Sequence, residues 1–429
     1  MTGAATATRR RHAQAQARAH LAEGDAAAAR VVLRRLIDAG DTRVSVLHDL
    51  ARALLLAGDN DAAVGLLRRL VVAAPHRADL ALHLVAALQR RDGPEAALEE
   101  CRAAVGRHPD DVPLWRALAR LAGIGPPGEI ALTAWRRVCE LDPANPTAWR
   151  RLAAAARLRR DQETLTTAID RWFGLAPEDP SARHLHAALH GESPERADPR
   201  YVAGLFDGYA ESFDEHLAAL GYRTPTVIAE LVAASAGDAP VARAADLGCG
   251  TGQVGALLRR QTAHLDGVDL SSGMLVQAQA RGCYDGLYRG DLVEFLRRRP
   301  GTYDLLVSAD TLNYFGDLRL VVAAAAAALR DGGLFVASLE ESAEPSPVGY
   351  RLEPSGRYSH AASWVRGVLR ASGFEATFER TVLRREGIND VAGLLFVARR
   401  TEPGILPMSS DGPVGHAATT ATTAPKEYQ

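Results

Sequence analysis

The chain has 429 residues, of which 47% are hydrophobic and 24% charged, and a formal net charge of −2. That is the composition of a soluble globular protein of two or three domains, and it excludes a general attraction to polyanions. One lysine, Lys426, stands against 49 arginines, which reads as codon bias in a GC-rich genome rather than as a nucleic-acid surface. Cys101, Cys139, Cys249 and Cys283 form no C-x-x-C pair and have neither zinc nor disulfide-framework spacing, so reduced thiols in a cytoplasm are expected. No His/Cys/acid cluster with metal-ligand spacing is read, and no metal is expected. The N-terminal "MTGAATATRRRHAQ" has no apolar stretch after its arginines, and "LVVAAAAAALR" is too short to span a bilayer. A cytoplasmic protein without membrane or nucleic-acid partners is expected.

The first half repeats itself every 34 residues: Pro75, Pro109, Pro143 and Pro177 share that spacing, and so do Gly24-Asp25 and Gly58-Asp59. Aligned on these, Ala29, Ala63, Ala97, Ala131 and Leu165 share a column. Leu47, Ala81, Trp115 and Trp149 share a second, and Leu50, Leu84, Leu118 and Leu152 a third. Each unit reads as two amphipathic helices, the small-residue column allowing close approach and the proline stopping the second helix. Such pairs bury their apolar faces only by stacking on neighbours. The pattern resembles the tetratricopeptide repeat, in five copies, with "PSARHLHAALHG" (180–191) as a capping helix. Two repeats depart from it: Asp41 replaces the first proline, and the fourth repeat carries an unusual "GIGPPGEI" turn (123–130). The resemblance implies an all-α solenoid over 10–192, with Arg18, His48, Arg52, Arg116, Arg120 and Arg150 on the concave face. A groove for an acidic peptide or protein segment is one reading of these residues, and solvated arginines the other.

From about residue 200 strands and helices alternate. "ARAADLGC", "HLDGVDL", "LYRGDL", "YDLLVSAD" and "LFVASLE" read as strands, with helices between them, and two further strands are expected near "TFERTVLRRE" and "VAGLLFVARR". "DLRLVVAAAAAALRDGG" reads as a helix ending in glycines, and "HAASWVRGVLRASGF" as another helix. This predicts a parallel sheet with helices on both faces and a ligand at the carboxyl ends of the strands. The stretch "DLGCGTGQVG" (246–255) allows two registers. Gly250 to Gly255 spells the dinucleotide fingerprint G-x-G-x-x-G, while Asp246 to Gly252 spells D-x-G-x-G-x-G. Asp269, at the end of the second strand, suits the ribose of either cofactor. An acid ahead of the glycines would repel a pyrophosphate but suits a cationic amino-acid group.

The segment "ADLGCGTG" (245–252), followed in order by "GVDLSSGMLVQA", "RGDL", "YDLLVSADTLNYFGDL" and "LRDGGLFVASLE", resembles the class I S-adenosylmethionine-dependent methyltransferases. The layout of repeats, helix and core is similar to bacterial predicted methyltransferases carrying tetratricopeptide repeats. The resemblance implies a Rossmann-like domain at 200–400 with a seven-stranded, mostly parallel sheet, and S-adenosylmethionine as cofactor. It places Asp246, Gly248, Gly250, Thr251 and Gly252 in the loop, and Asp269 with Leu270 at the ribose. Met274, Asp291 and Leu292 fall near the adenine, and Ala309 and Asp310 at the mouth of the site. Tyr209, in the F-D-x-Y-A-x-x-F-D helix of "LFDGYAESFDEHLAALGYRTP" (205–225), would fold over the methionine end. That segment also reads as an amphipathic packing helix through Leu205, Phe206, Tyr209, Phe213 and Leu217.

Methyl transfer from a sulfonium needs alignment and desolvation more than a base. The catalytic residue is therefore unknown from sequence. The candidates are Tyr209, Asp310 and His360, with Asn313, Tyr314, His216 and Tyr358 as further candidates. His360 and Tyr358 are placed at the start of the helix after strand five. Cys249 reads as loop packing. Residues 401–429 read as a disordered tail. The expected function is methyl transfer to a small-molecule or protein acceptor, with the repeats binding partner or substrate. A repeat scaffold with an idle cofactor domain is the first rival, and a nicotinamide-dependent oxidoreductase the second.

Overall fold

The structure is a computed structural model. It describes residues 2–123, 128–237, 240–342, 346–386 and 389–401. The centre of the "GIGPPGEI" turn, and the tail apart from Thr401, lie outside the described residues. The chain divides into two compact units, Met1–Pro194 with Leu352–Arg357, and Glu195–Arg351 with Tyr358–Gln429. Among the described residues no helix is long and apolar enough to cross a membrane.

The first unit is helical: α1 (Thr2–Ala22), α2 (Ala26–Asp38), α3 (Val44–Leu56), α4 (Asn60–Ala73), α5 (Ala78–Asp92), α6 (Pro94–Arg107), α7 (Val112–Ala122), α8 (Glu129–Leu141), α9 (Pro146–Arg159), α10 (Gln162–Leu175) and α11 (Pro180–Leu189). The 34-residue period spans one helix pair, and Pro75, Pro109, Pro143 and Pro177 fall just after α4, α6, α8 and α10. The repeated Gly-Asp has a local cause. Gly24 and Gly58 take positive φ, and Asp25 and Asp59 then cap α2 and α4 by accepting from Ala28 and Ala62 N–H. The small-residue column is buried throughout, from Ala29 to Leu165. Trp115 and Trp149 each donate Nε1–H to the carbonyl of the proline six residues earlier, both at 2.8 Å. Asp41, standing where the other repeats have proline, is buried and takes a forked pair of bonds from Arg43.

The second unit begins with α12 (Pro199–Asp207), α13 (Phe213–Ala219) and α14 (Thr224–Ala236). There follow β1 (Val241–Leu247), α15 (Gln253–Leu258), β2 (Thr262–Asp269), α16 (Ser272–Arg281), β3 (Gly286–Arg289), α17 (Leu292–Arg297), β4 (Tyr303–Ser308), α18 (Arg319–Ala328), β5 (Leu329–Glu341), β6 (Tyr350–Leu352), β7 (Tyr358–His360), α19 (Ala362–Ala371), β8 (Phe374–Glu386) and β9 (Asn389–Arg400). The sheet order is β3-β2-β1-β4-β5-β7-β6, with β9 pairing β5 and β8. β1 to β5 are parallel, while β9 runs antiparallel to both β5 and β8.

Among the described residues the sheet therefore has nine strands rather than the expected seven. The additional two, β6 and β7, are three residues each. β5 runs past its last pairing with β4 at Ala337, and its Glu340 and Glu341 find partners in Ser359 and His360 of β7. Tyr358 and His360 thus belong to a strand, not to the start of the following helix. The Arg330–Gly333 turn likewise belongs to β5, where its register against β4 shifts between Tyr303 and Leu305. Both sheet faces are covered, as parallel strands require. Leu305, Val307 and Val336 pack under α14 and α15, while Leu306, Phe335 and Ala337 pack under α17, α18 and α19. β1 lies between β2 and β4, so the strand order reverses there, and a crevice at the carboxyl ends is the position such sheets offer a ligand.

Candidate functional site

β1 ends in the glycine loop. Gly248 has φ 74°, and a Cβ there would lie 2.1 Å from Oγ1 of Thr311, which follows β4. Only glycine lets the loops after β1 and β4 meet this closely. Gly248 and Cys249 N–H both donate to the carbonyl of Val268 in β2. Cys249 is buried, which pushes its thiol well above the ordinary range and fits a packing role.

Asp269 ends β2 facing this loop. Its Oδ2 accepts from Gly250 N–H at 2.9 Å and its Oδ1 from Ser271 N–H at 2.8 Å. Burial raises its carboxyl above the usual range, against those two bonds. Each oxygen keeps a lone pair for a further donor.

Asp246 lies beneath the loop, 1% exposed. Its Oδ2 accepts the hydroxyl proton of Tyr284 at 2.7 Å, and its buried Oδ1 has no full hydrogen bond among the described residues. Burial pushes this carboxyl up to about 7, opposed by the Tyr284 hydroxyl. Tyr284 also accounts for Gly255, since a Cβ there would sit 2.3 Å from the phenol oxygen. The last glycine of "GTGQVG" is therefore a seat for Tyr284.

The front segment is not one helix. It breaks at residues 208–212 between α12 and α13, and α13 buries no residue. Its two aspartates hold it in place. Asp207 Oδ1 accepts from the Ser271 hydroxyl at 2.6 Å and from Gly273 N–H at 2.9 Å, at the start of α16. These bonds hold the Asp207 carboxyl below its ordinary range. Asp214 Oδ1 accepts from Thr251 Oγ1 at 2.6 Å and Gln253 Nε2 at 2.8 Å, while Oδ2 pairs with Arg281. Burial pushes the Asp214 carboxyl up, but these partners outweigh it and hold it low. So one acid is tied to the loop after β1 and the other to the loop after β2. Ahead of α12, Ala197 N–H bonds the Tyr314 carbonyl, and Gly316 and Asp317 N–H both bond Glu195 O.

Asp310 follows β4 with φ 53°, an uncommon conformation for a non-glycine residue. Its N–H donates to Ser338 Oγ, and its Oδ1 accepts the Ser338 hydroxyl at 2.7 Å. Arg384, itself paired with Glu340, lies 3.7 Å from its Oδ2, and Thr224 Oγ1 lies at 3.5 Å. Tyr222 borders this group, and burial, then the Asp310 charge, push its phenol well up. Tyr209 stands in the break of the front segment, 49% exposed, its ring 6.4 Å from that of His216.

The remaining expected residues are distributed as follows. Met274 is buried in the first turn of α16, and Leu270 and Ala309 are half-buried. Thr251 is buried beneath Asp214. Asp291 caps α17, accepting from Val293 and Glu294 N–H, and pairs with Arg196, while the neighbouring Leu292 is buried. His360 is fully buried, with Nε2 toward the carbonyls of Phe315 at 2.9 Å and Gly316 at 3.1 Å. Burial lowers it to about 4, so it is neutral, and it stacks on Trp364. Asn313 is buried and accepts from Glu340 N–H. The three catalytic candidates thus sit on three separate elements: the front break, the β4 end and β7. Asp207, Asp214, Tyr284, Ser338 and Arg384 were not expected. Only the paired F-D of the front segment gave a sequence signal for the first two.

Residues 245–335 match the family described as "Methyltransferase domain". This stretch of the chain is thus similar to a methyltransferase domain. That match favours the D-x-G-x-G-x-G register of the loop. Methyltransferase-like protein 27 of Homo sapiens is 38% identical over 112 residues, 25% of this chain and 46% of that protein. A ubiquinone biosynthesis O-methyltransferase of Bordetella bronchiseptica is 29% identical over 184 residues, 40% of this chain and 76% of that enzyme. The Burkholderia thailandensis 1,6-didemethyltoxoflavin-N1-methyltransferase, solved with S-adenosylhomocysteine, aligns at TM-score 0.39 and 20% identity, over 49% of this chain and 93% of that one. The chain spans less than half the length of the human relative.

The residues at the carboxyl ends of β1 and β2 fit S-adenosylmethionine chemically. Asp269 offers two acceptor oxygens, held by backbone amides, for two ribose hydroxyls. Asp246 carries a buried oxygen that still lacks a donor among the described residues.

Proposed function

We propose that this protein transfers a methyl group to a small-molecule or protein acceptor, and that its helical repeats, read as tetratricopeptide repeats, bind the partner or the substrate. When bound, the cofactor supplies a methyl group on a positively charged sulfur, already activated for displacement. Asp269 holds the ribose, with Leu270 beside it. Met274, Asp291 and Leu292 border the adenine. Gly248, Gly250, Thr251 and Gly252 bring backbone close to the methionine part, and Asp246 lies beneath them. Tyr209, Ala309 and Asp310 face the reacting end. Asp310 serves as a positioning group rather than a proton acceptor, because Ser338 occupies one oxygen and the Arg384 charge lies near the other. Its left-handed backbone sets where the β4 loop turns.

The observation that carries this reading is Asp269, held by two amides beside the glycine loop. Calorimetry with S-adenosylmethionine tests it. Binding at micromolar levels is expected, and its absence removes the enzyme reading. Label transfer from methyl-labelled cofactor into the protein or small-molecule fraction of a lysate then sorts the acceptor class. Binding without transfer to either fraction favours the idle scaffold.

For the repeats, Arg116, Arg120 and Arg150 are exposed and have no ion pair among the described residues. Arg120 lines a cavity of about 360 Å³ with His83 and Gln89, between α5 and α7. Not all of the expected arginines are available. Arg18 and Arg52 converge on the buried Asp49, at 2.8 and 3.5 Å. His48 is buried against His83, and burial lowers it to about 4. An acidic segment is the occupant this charge favours. A pull-down that is unchanged when Arg116, Arg120 and Arg150 are all made Glu excludes it.

A further inference from the structure

We propose that Asp170, His186 and His190 form a binding site for a transition-metal ion of the zinc class. His186 and His190 lie one helical turn apart, on α11 and at its C-cap, and Asp170 reaches them from α10. The spacing His186-x-x-x-His190 does not by itself mark a site in the sequence, because its third ligand comes from another helix. One ligand atom from each residue lies within 4.8 Å of the others. Asp170 Oδ1 is 2.7 Å from His190 Nε2 and 3.7 Å from His186 Nε2. Tetrahedral zinc with bonds of about 2.0–2.1 Å separates its ligand atoms by about 3.3–3.4 Å. These two separations fall on either side of that value, so small side-chain rotations admit the ion.

Three further observations point the same way. The only ion-pair partners of Asp170 among the described residues are these two histidines. The His186 ring is already oriented, stacked on Phe173 with centroids 4.2 Å apart and planes at 27°. The side chains are 24% to 43% exposed, leaving a path for the ion and a coordination position for water. Two imidazoles with one carboxylate select zinc, cobalt or nickel over magnesium or calcium. The bound ion would join α11, the last helix of the repeat unit, to α10.

The test uses the full, untagged chain, stripped of metal. Cobalt(II) is titrated and followed by its visible spectrum, zinc is used to displace it, and melting is recorded with and without zinc. One equivalent is expected, with a nitrogen/oxygen-ligand spectrum, and zinc should raise the melting temperature. His186→Gln with His190→Gln should weaken binding by more than about tenfold, the lower end of what losing even an outer-shell partner costs. The zinc-induced shift should vanish too. Asp170→Asn, close to isosteric, serves if the double variant fails to fold, and should weaken binding similarly. Absence of stoichiometric binding overturns the proposal. So does equal affinity in the variants, or a thiolate charge-transfer band assigning the ion to cysteine.

Discussion

Three residues at or beneath the proposed cofactor crevice each make a distinct prediction. In the proposed function Asp269 offers the ribose two charged acceptors, and hydrogen bonds to a charged group are worth about 1.5–3 kcal/mol each. Asp269→Ala should therefore weaken S-adenosylmethionine binding by about 100-fold or more in calorimetry. Asp246 has its carboxyl raised to about 7 from 3.8. The folded chain then holds a proton that the unfolded chain has released between those values. This group's contribution to stability falls as pH rises from about 4 to about 7, and is constant above. Asp246→Asn removes the penalty, so the variant should gain stability relative to the parent across that window; parallel melting curves would contradict the assignment. Gly255→Ala drives a methyl into the Tyr284 ring. It should cost about 1–3 kcal/mol, the usual range for overpacking, read as a lowered melting temperature. The local sequence gives no reason for that glycine, because its neighbour Tyr284 is 29 residues away in sequence.

At the scale of elements, the front segment shows how far a pattern can be read. Phe206, Tyr209, Phe213 and Leu217 have helical spacing, yet the structure breaks there and buries none of these side chains fully. Polar clips replace a continuous apolar stripe: Asp207 on α16 and Asp214 on the glycine loop. Replacing both by Asn removes charge but little volume. Affinity for S-adenosylmethionine should fall by about tenfold, roughly 1.4 kcal/mol, and proteolysis within 205–223 should accelerate. If neither changes, the clips do not order the site. The β strands were legible because parallel strands buried on both faces read as apolar runs. The short β7 was not, since "RYSH" has no apolar alternation and pairs only because β5 extends beyond β4.

At the scale of the molecule, the chain comprises two compact units with separate cores. Two unfolding transitions should appear in calorimetry. S-adenosylmethionine at about 100 times its dissociation constant should stabilise the second unit by about 2.7 kcal/mol and leave the first unit unmoved. A single transition shifted as a whole would show that the two units unfold together.

The 34-residue period, the order of seven of the nine strands, and the loop Asp246–Gly252 with Asp269 were all determined by the sequence alone. Each rests on neighbours a few residues apart or on a repeated spacing, which local sterics and helix or strand periodicity dictate. Only the tertiary structure decided what those residues touch. It placed Tyr284 under Asp246, tied Asp214 to Thr251, fixed Asp310 against Ser338, buried His360 between β5 and Trp364, and brought Asp170 to His186 and His190. Most of these join residues far apart in the chain. Side-chain chemistry states what each group can bond, and the packing of the sheet and helices selects which partner lies within reach.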